Sequence, residues 1–319
     1  MKVVNQEAVY MPHNKDLYEF IEDVARTCYK SESKGDAKGF VMRLNKSGHR
    51  AMLEHEYIYL MIDNIAHQNL IHQCDPSELK YLNITQNYIS GSVRAFWEFL
   101  EPYEDFEFMS RRGVIVLRIY QVLAEEYPDL FNKPGLLNAK WNTWNGVVEI
   151  ATREEIKQSI KAQGLMLEDY YISQLIPHTF KFITNRGVSH ELVRHRVASF
   201  AQESQRYVGY DKEKFGGEIQ VIKPPFETSM QEMLWKDAME HVENAYMALR
   251  AANVAPQIAR SVLPNSCKTE IIVTATEQEW QHIVDLRYHG TTGAPHPEIK
   301  ELIGLAYPIL VDKTEGRIK

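Results

Sequence analysis

The order in which helical and strand patterns follow one another constrains this chain most. Apolar residues keep helical spacing at Leu17, Phe20, Ile21, Val24, Ala25 and Cys28, and again from Phe40 to Leu44, where Ser47-Gly48 reads as a helix end. Glu56–Ile62 is dense in β-formers and predicts a strand. Helices are predicted over Ser90–Leu100, with Ser90 or Ser92 as cap, over Gly113–Tyr127 and, more weakly, over Lys157–Leu167. Between Phe131 and Gly146, Pro, Gly, Asn and Trp mix without period. His178–Thr184, Ile219–Ile222 and Lys268–Thr276 predict strands, the second ended by Pro224-Pro225. Ser189 is placed to cap a helix running through Glu191, Leu192 and Val193 into Arg194-His195-Arg196. Ser229 with Glu232 forms a capping-box pattern ahead of the longest helix, which Asn253 and Pro256 end. Thr276 with Glu279 repeats the pattern and opens a helix to Arg287. Glu298–Ala306 is helical, with Pro308 as its stop.

No regular strand–helix–strand alternation runs through this order. An α+β fold follows, a mixed or antiparallel sheet flanked by helices, rather than a doubly wound one. The dinucleotide and P-loop glycine patterns are both missing. The expected organisation is one domain over residues 1–319 with a long helical insertion at about 75–165, a stretch whose Arg94, Arg111 and Arg112 read as surface charge rather than as catalytic groups.

Bulk properties narrow the function. With 44% hydrophobic and 25% charged residues, the 319-residue chain has a globular composition. A net charge of −7 argues against a general nucleic-acid or membrane-surface binder, which needs a basic face. Cys28, Cys74 and Cys267 are too few and too scattered for a disulfide framework or a zinc spacing, so a reducing, cytoplasmic setting and no metal are expected. The N-terminus has no secretory pattern, and no apolar run approaches the roughly 20 residues that span a bilayer.

Against that acidic background stands Arg194-His195-Arg196-Val197-Ala198-Ser199-Phe200-Ala201-Gln202-Glu203-Ser204, followed by Gln205-Arg206-Tyr207. Arginine forks match phosphate oxygens two at a time, so the cluster suits phosphorylated ligands. The plainer reading is a solvated basic face, or arginines paired with Glu191 and Glu203. The pattern RHR, seven residues, then Ser resembles the signature of flavin-dependent thymidylate synthases. Further segments resemble that family in the same order. They are Ala25–Lys30, Gly48-His49-Arg50-Ala51-Met52-Leu53-Glu54-His55 with Ala51 where the family has Thr, Ala259-Arg260-Ser261-Val262-Leu263-Pro264, and Asp285-Leu286-Arg287. The resemblance covers about residues 20–305.

The resemblance implies reductive methylation of dUMP to dTMP. Methylenetetrahydrofolate supplies the carbon, and NADPH or NADH supplies reducing equivalents through FAD, in a homotetramer with shared active sites. His49, Arg194, His195 and Arg196 are carried over as FAD-binding residues. Arg194, Gln202, Ser204, Gln205, Arg206, Arg260 and Arg287 are carried over as dUMP-binding. Arg287 is the expected catalytic group, stabilising negative charge on the pyrimidine. No cysteine carries an activating motif, and Ser204 has no evident base, so a covalent enzyme nucleophile is not expected. Glu191 stands where some members carry a phosphate-touching Gln, and as a carboxylate it is expected to orient an arginine instead. Two rival readings stay open: a related flavoenzyme acting on another pyrimidine nucleotide, and a non-catalytic protein stacking nucleotides or single strands on Phe200, Tyr207 and Tyr210.

Overall fold

The computed structural model of the protein describes residues 1–102, 113–132, 144–164, 166–206, 209–211 and 217–319. Arg111, Arg112 and Tyr207 lie outside these, as does most of the unpatterned stretch after Phe131. The described chain divides into two compact units. The first comprises residues 1–15, 22–35 and 178–319, and the second residues 16–21 and 36–177. Ten strands are described, numbered along the chain: β1 (Lys2–Val4), β2 (Glu7–Met11), β3 (Tyr57–Ile62), β4 (Asn83–Ile84), β5 (Tyr88–Ser92), β6 (Val148–Ala151), β7 (Pro177–Asn185), β8 (Ser199–Gln202), β9 (Gln220–Ile222) and β10 (Lys268–Thr276). The fold is α+β, with largely antiparallel sheets covered by helices and one small parallel pair.

In the first unit the main sheet has the order β2-β7-β10-β8. β2 runs antiparallel to β7, pairing Tyr10 with Phe180, and β8 antiparallel to β10, pairing Ala201 with Ile272. Side chains two apart share a face, so Phe180 and Phe182 point the same way and stack at 5.7 Å. Trp280 meets Phe180 edge-on at 5.3 Å and donates its indole N–H to His178 O at 2.9 Å. The helices Glu277–Val284 and Pro297–Lys313 add Ile283, Ile299, Leu302, Ile303, Ala306 and Leu310 to this core. Truncating the fully buried Trp280 to Ala would cost about 3–5 kcal/mol. A second, two-stranded sheet pairs β1 with β9 in parallel, and the long helix Ser229–Ala251 contributes Met239 and Tyr246 to the cluster around it.

The second unit is built on an antiparallel sheet of order β4-β5-β3-β6. Its central strand β3 is sandwiched. Ile58, Leu60 and Ile62 enter one core with the helices Val93–Leu100 and Val114–Glu126, while Tyr57, Tyr59 and Met61 face Ile156, Ile160, Ile172 and Leu175 on the other side. A strand covered on both faces explains why EYIYLMI is apolar without a polar alternation.

Several local signals resolved differently from their sequence patterns. The long helix is capped one residue earlier than expected. Thr228 and Gln231 close the box, while Glu232 pairs with Lys223. Ser92, not Ser90, caps Val93–Leu100; Ser90 lies in β5 and donates to Leu175 O. The helix expected at Lys157–Leu167 spans Arg153–Ala162, started by the Thr152–Glu155 box, and a separate helix follows at Glu168–Leu175. Pro308 does not stop its helix, which continues to Lys313 because Leu310 is drawn into the core.

Candidate active site

The helix Arg186–Leu192 leads into the arginine-rich segment, and its cap is Asn185. That side chain accepts from Val188 N at 2.8 Å and donates to the buried Glu298 at 2.6 Å. Ser189 therefore sits inside the helix rather than at its start. It accepts from Gln202 Nε2 at 2.7 Å, and Gln202 also donates to Thr269 at 3.2 Å. Helical geometry ends at Leu192, so Arg194, His195 and Arg196 lie in the turn beyond it rather than in its last turn. Arg194 and Arg196 are exposed, and neither guanidinium has a hydrogen bond or ion pair among the described residues. His195 is 6% exposed.

Arg287 reaches the same place from a distant part of the chain. It lies on a π-helical turn, Asp285–His289, that follows the helix Glu277–Val284 and ends at Gly290, whose φ of 74° is left-handed. The Asp285 carbonyl accepts from the N–H groups of Gly290 and Thr291 and from the Thr291 hydroxyl, which satisfies the wide turn. Arg287 Nε donates to His195 Nε2 at 3.1 Å, Nη1 to Glu191 Oε2 at 2.9 Å, and Nη2 to Glu191 O at 3.4 Å. Glu191 thus orients an arginine, and that arginine is Arg287. Because His195 Nε2 is an acceptor here, its ring proton is on Nδ1.

Glu279 does not close the capping box its spacing suggested. Thr276 makes no side-chain cap bond, and Glu279 Oε1 lies 3.8 Å from His195 Nδ1. A long-range partner has taken the carboxylate away from the helix start.

Beyond β8 the ladder continues through Glu203 N to Glu270 O at 2.8 Å, after which Ser204 N donates to Cys28 O at 3.1 Å. The Ser204 hydroxyl accepts from Arg206 N at 3.3 Å, and no base contacts it among the described residues. Gln205 points its amide at Cys267 Sγ, 3.7 Å away. Burial pushes the Cys28 thiol up to about 12, with Glu203 adding to it, and pushes Cys267 up as well. Neither thiol is poised as a nucleophile. Arg260 is exposed on the turn Arg260–Val262 and touches no other predicted site residue among the described contacts.

Under Ser204 lies a network of charges that sequence reading missed. The carboxylate of Glu203, 1% exposed, pairs with Lys268 at 3.3 Å and Lys30 at 3.5 Å. Glu270 faces Lys268, Lys30 and Lys181. Burial alone would raise Glu270, but the three lysines outweigh it and hold the carboxyl at about 2. A second buried set joins Glu277, His178 and Arg317. Arg317 grips Glu277 at 2.8 and 3.0 Å, and His178 lies 3.1 Å from it. Burial pushes Glu277 up, and the hydrogen bonds from His178 and Arg317 bring it below the ordinary value. No short motif announces either set, because the partners are far apart in sequence.

His49 belongs to the second unit. It is exposed, follows Gly48 (φ 79°) and precedes the turn Arg50–Glu54. Two of its motif neighbours have structural partners. Glu54 binds Arg94, which also holds Glu98, and Arg50 stacks on Trp97 at 3.4 Å. Arg94, expected as plain surface charge, is therefore bound to two carboxylates.

Comparison with known proteins follows the same geography. Residues 172–314 match the family model described as thymidylate synthase complementing protein. A flavin-dependent thymidylate synthase of Geobacter sulfurreducens is 40% identical over 103 residues, covering 32% of this chain and 44% of that protein. The corresponding enzyme of Corynebacterium diphtheriae is 32% identical over 146 residues, covering 40% of this chain and 54% of that protein. The chain thus spans about half the length of the curated relatives it matches. Among solved structures, a UMP/dUMP methylase PolB from Streptomyces cacaoi bound with 5-Br dUMP is similar with a TM-score of 0.38 and 20% identity, over 51% of this chain and 79% of that one. The similarity to the thymidylate synthase complementing protein family thus lies in residues 172–314.

Proposed function

We propose that the protein converts dUMP to dTMP by reductive methylation, with methylenetetrahydrofolate as carbon donor, FAD as bound cofactor and NADPH as reductant. The observation that carries this reading is Arg287, fixed by Glu191 and His195 beside two arginines that are exposed and unpaired among the described residues. The matched relatives are named flavin-dependent thymidylate synthases, which supports the assignment.

The residues fit a phosphorylated cofactor and a phosphorylated substrate. Arg194 and Arg196 present guanidinium forks to solvent, the donor type that binds diphosphates. His195 completes the arginine-rich FAD set in this reading. When bound, the flavin supplies the redox and carbon-carrier chemistry. Ser204, Gln205 and Arg206 hold the dUMP phosphate, with Gln202, Arg194 and Arg260 completing the nucleotide contacts. Arg287 stabilises negative charge on a pyrimidine oxygen while C5 attacks, which makes a covalent enzyme nucleophile unnecessary. The protein acts as a cytoplasmic homotetramer with shared active sites, and the segment 75–165 contributes no group to the chemistry.

Equilibrium dialysis with FAD, followed by a dTMP assay with each pyrimidine nucleotide in turn, tests the reading. Stoichiometric flavin and turnover confined to dUMP are expected. An absence of bound flavin at saturating FAD would remove its basis.

A further inference from the structure

Glu279 and His282 lie one turn apart on the helix Glu277–Val284, and His195 meets them from the loop after Leu192. One ligand atom of each residue lies within 4.8 Å of the other two. The His195 and His282 rings meet edge-on, centroids 5.8 Å apart. Glu279 has given up the helix start and faces His195 instead. Two imidazoles and a carboxylate, two of them in a Glu-x-x-His spacing on one helix face, form a donor set suited to zinc-like ions. Calcium and magnesium, which want oxygen ligands, are poorly served.

We propose that His195, Glu279 and His282 form a binding site for a divalent transition-metal ion, and that filling it detaches Arg287 from His195. The ligand atoms must close to bond lengths of about 2.0–2.2 Å around the ion. His282 is exposed and Glu279 half-buried, so both side chains have room to turn. The coupling follows from the imidazole. With Arg287 Nε donating to Nε2, the ring proton is on Nδ1, the nitrogen that faces Glu279. A metal can bind Nδ1 only in the other tautomer, in which Nδ1 has lost its proton to solvent and Nε2 has gained one, leaving the Nδ1 lone pair for the ion. Two N–H groups then oppose each other, and Arg287 keeps only Glu191. The metal site itself is independent of the proposed reaction; only its effect on turnover rests on that reading.

The test uses chelator-treated full-length protein and cobalt(II) alone, without flavin or nucleotide, so its outcome does not depend on the enzyme's activity. One equivalent of cobalt should give visible ligand-field absorption that zinc displaces. His282→Ala and Glu279→Gln should each weaken cobalt binding at least about tenfold while circular dichroism stays unchanged; each loses a ligand, not a core contact. Arg287→Ala should bind cobalt about tenfold more tightly, since removing the competing donor is worth on the order of one charged hydrogen bond. Absence of a stoichiometric cobalt spectrum, or the same affinity in His282→Ala, would overturn the site. Unchanged affinity in Arg287→Ala would overturn the coupling.

Discussion

Arg287 and Arg194 are the same residue type in the same unit, and the fold treats them in opposite ways. Arg287 is half-buried and held by three hydrogen bonds to Glu191 and His195. Arg194, next to His195 in sequence, is exposed and has no side-chain partner among the described residues. An arginine whose position is fixed before the ligand arrives loses no side-chain entropy when charge develops beside it, which is what transition-state stabilisation needs. An arginine that must be ordered by its ligand contributes affinity and salt dependence instead. Under the proposed function, the contrast assigns Arg287 as the catalytic cation and Arg194 as a binding cation without reference to motif position.

The strongest way to break this contrast is to remove the fixed member. Arg287→Ala should lower dTMP formation about 10²-fold or more, the scale of losing one key electrostatic donor. Flavin reduction by NADPH, followed by stopped flow, should survive far better. Arg287→Lys should recover only part of the loss, because an ammonium keeps the charge and not the fork. Equal damage to both half-reactions would reassign Arg287 to holding the flavin or the fold.

A different set of fixed cations sharpens the comparison through stability. Glu270, held at about 2 by its three lysines, lies below the roughly 4.3 of an unfolded glutamate. A depressed carboxyl stabilises above its unfolded value and loses that contribution as pH falls through its folded value. The window is therefore about pH 4.3 down to 2, and the contribution is on the order of 3 kcal/mol. Urea melts should show wild type more stable than Glu270→Gln at pH 7, with the gap closing across that window. A gap that stays constant would mean Glu270 acts by packing alone.

Smaller effects should follow at Arg194 and Arg196. Arg194→Ala and Arg196→Ala should each weaken FAD or dUMP binding about tenfold, more at low salt than at high salt, with kcat largely kept at saturation. A kcat loss matching that of Arg287→Ala would erase the distinction. The smallest expected effect is at Ser204, where Ala should raise the KM for dUMP about fivefold, one neutral hydrogen bond's worth. Complete loss of turnover with flavin binding intact would instead point to a covalent serine.

The sequence was most readable where a pattern and its physical cause are both local. β10 spans Lys268–Thr276 as its alternation predicts, and β3 lies within the dense β-forming run Glu56–Ile62. The Arg194–Arg206 segment and Arg287 stood out by charge type, and the fold brings His195 and Arg287 into contact. Local patterns failed where a distant group competed for the same atoms. Thr276 and Glu279 match a capping box, but His195 draws Glu279 away. Ser189 has the cap-forming side chain, but Asn185 takes the helix start because it is also anchored to Glu298. The lysine network around Glu203 and Glu270 joins residues from four separate segments, and no spacing rule links Lys30 to Lys268.

The π turn at Asp285–His289 makes chain length itself a determinant of the site. In an α-helix each residue advances the direction of its side chain by about 100°. Removing Leu286 would keep every functional side chain and every charge, yet swing Arg287 through about a quarter turn away from Glu191. An alignment scored on residue identity would rate such a deletion as mild. Counting residues between the tryptophan-bearing helix and Gly290 is thus a better guide to an intact site in a divergent chain than the presence of the arginine alone.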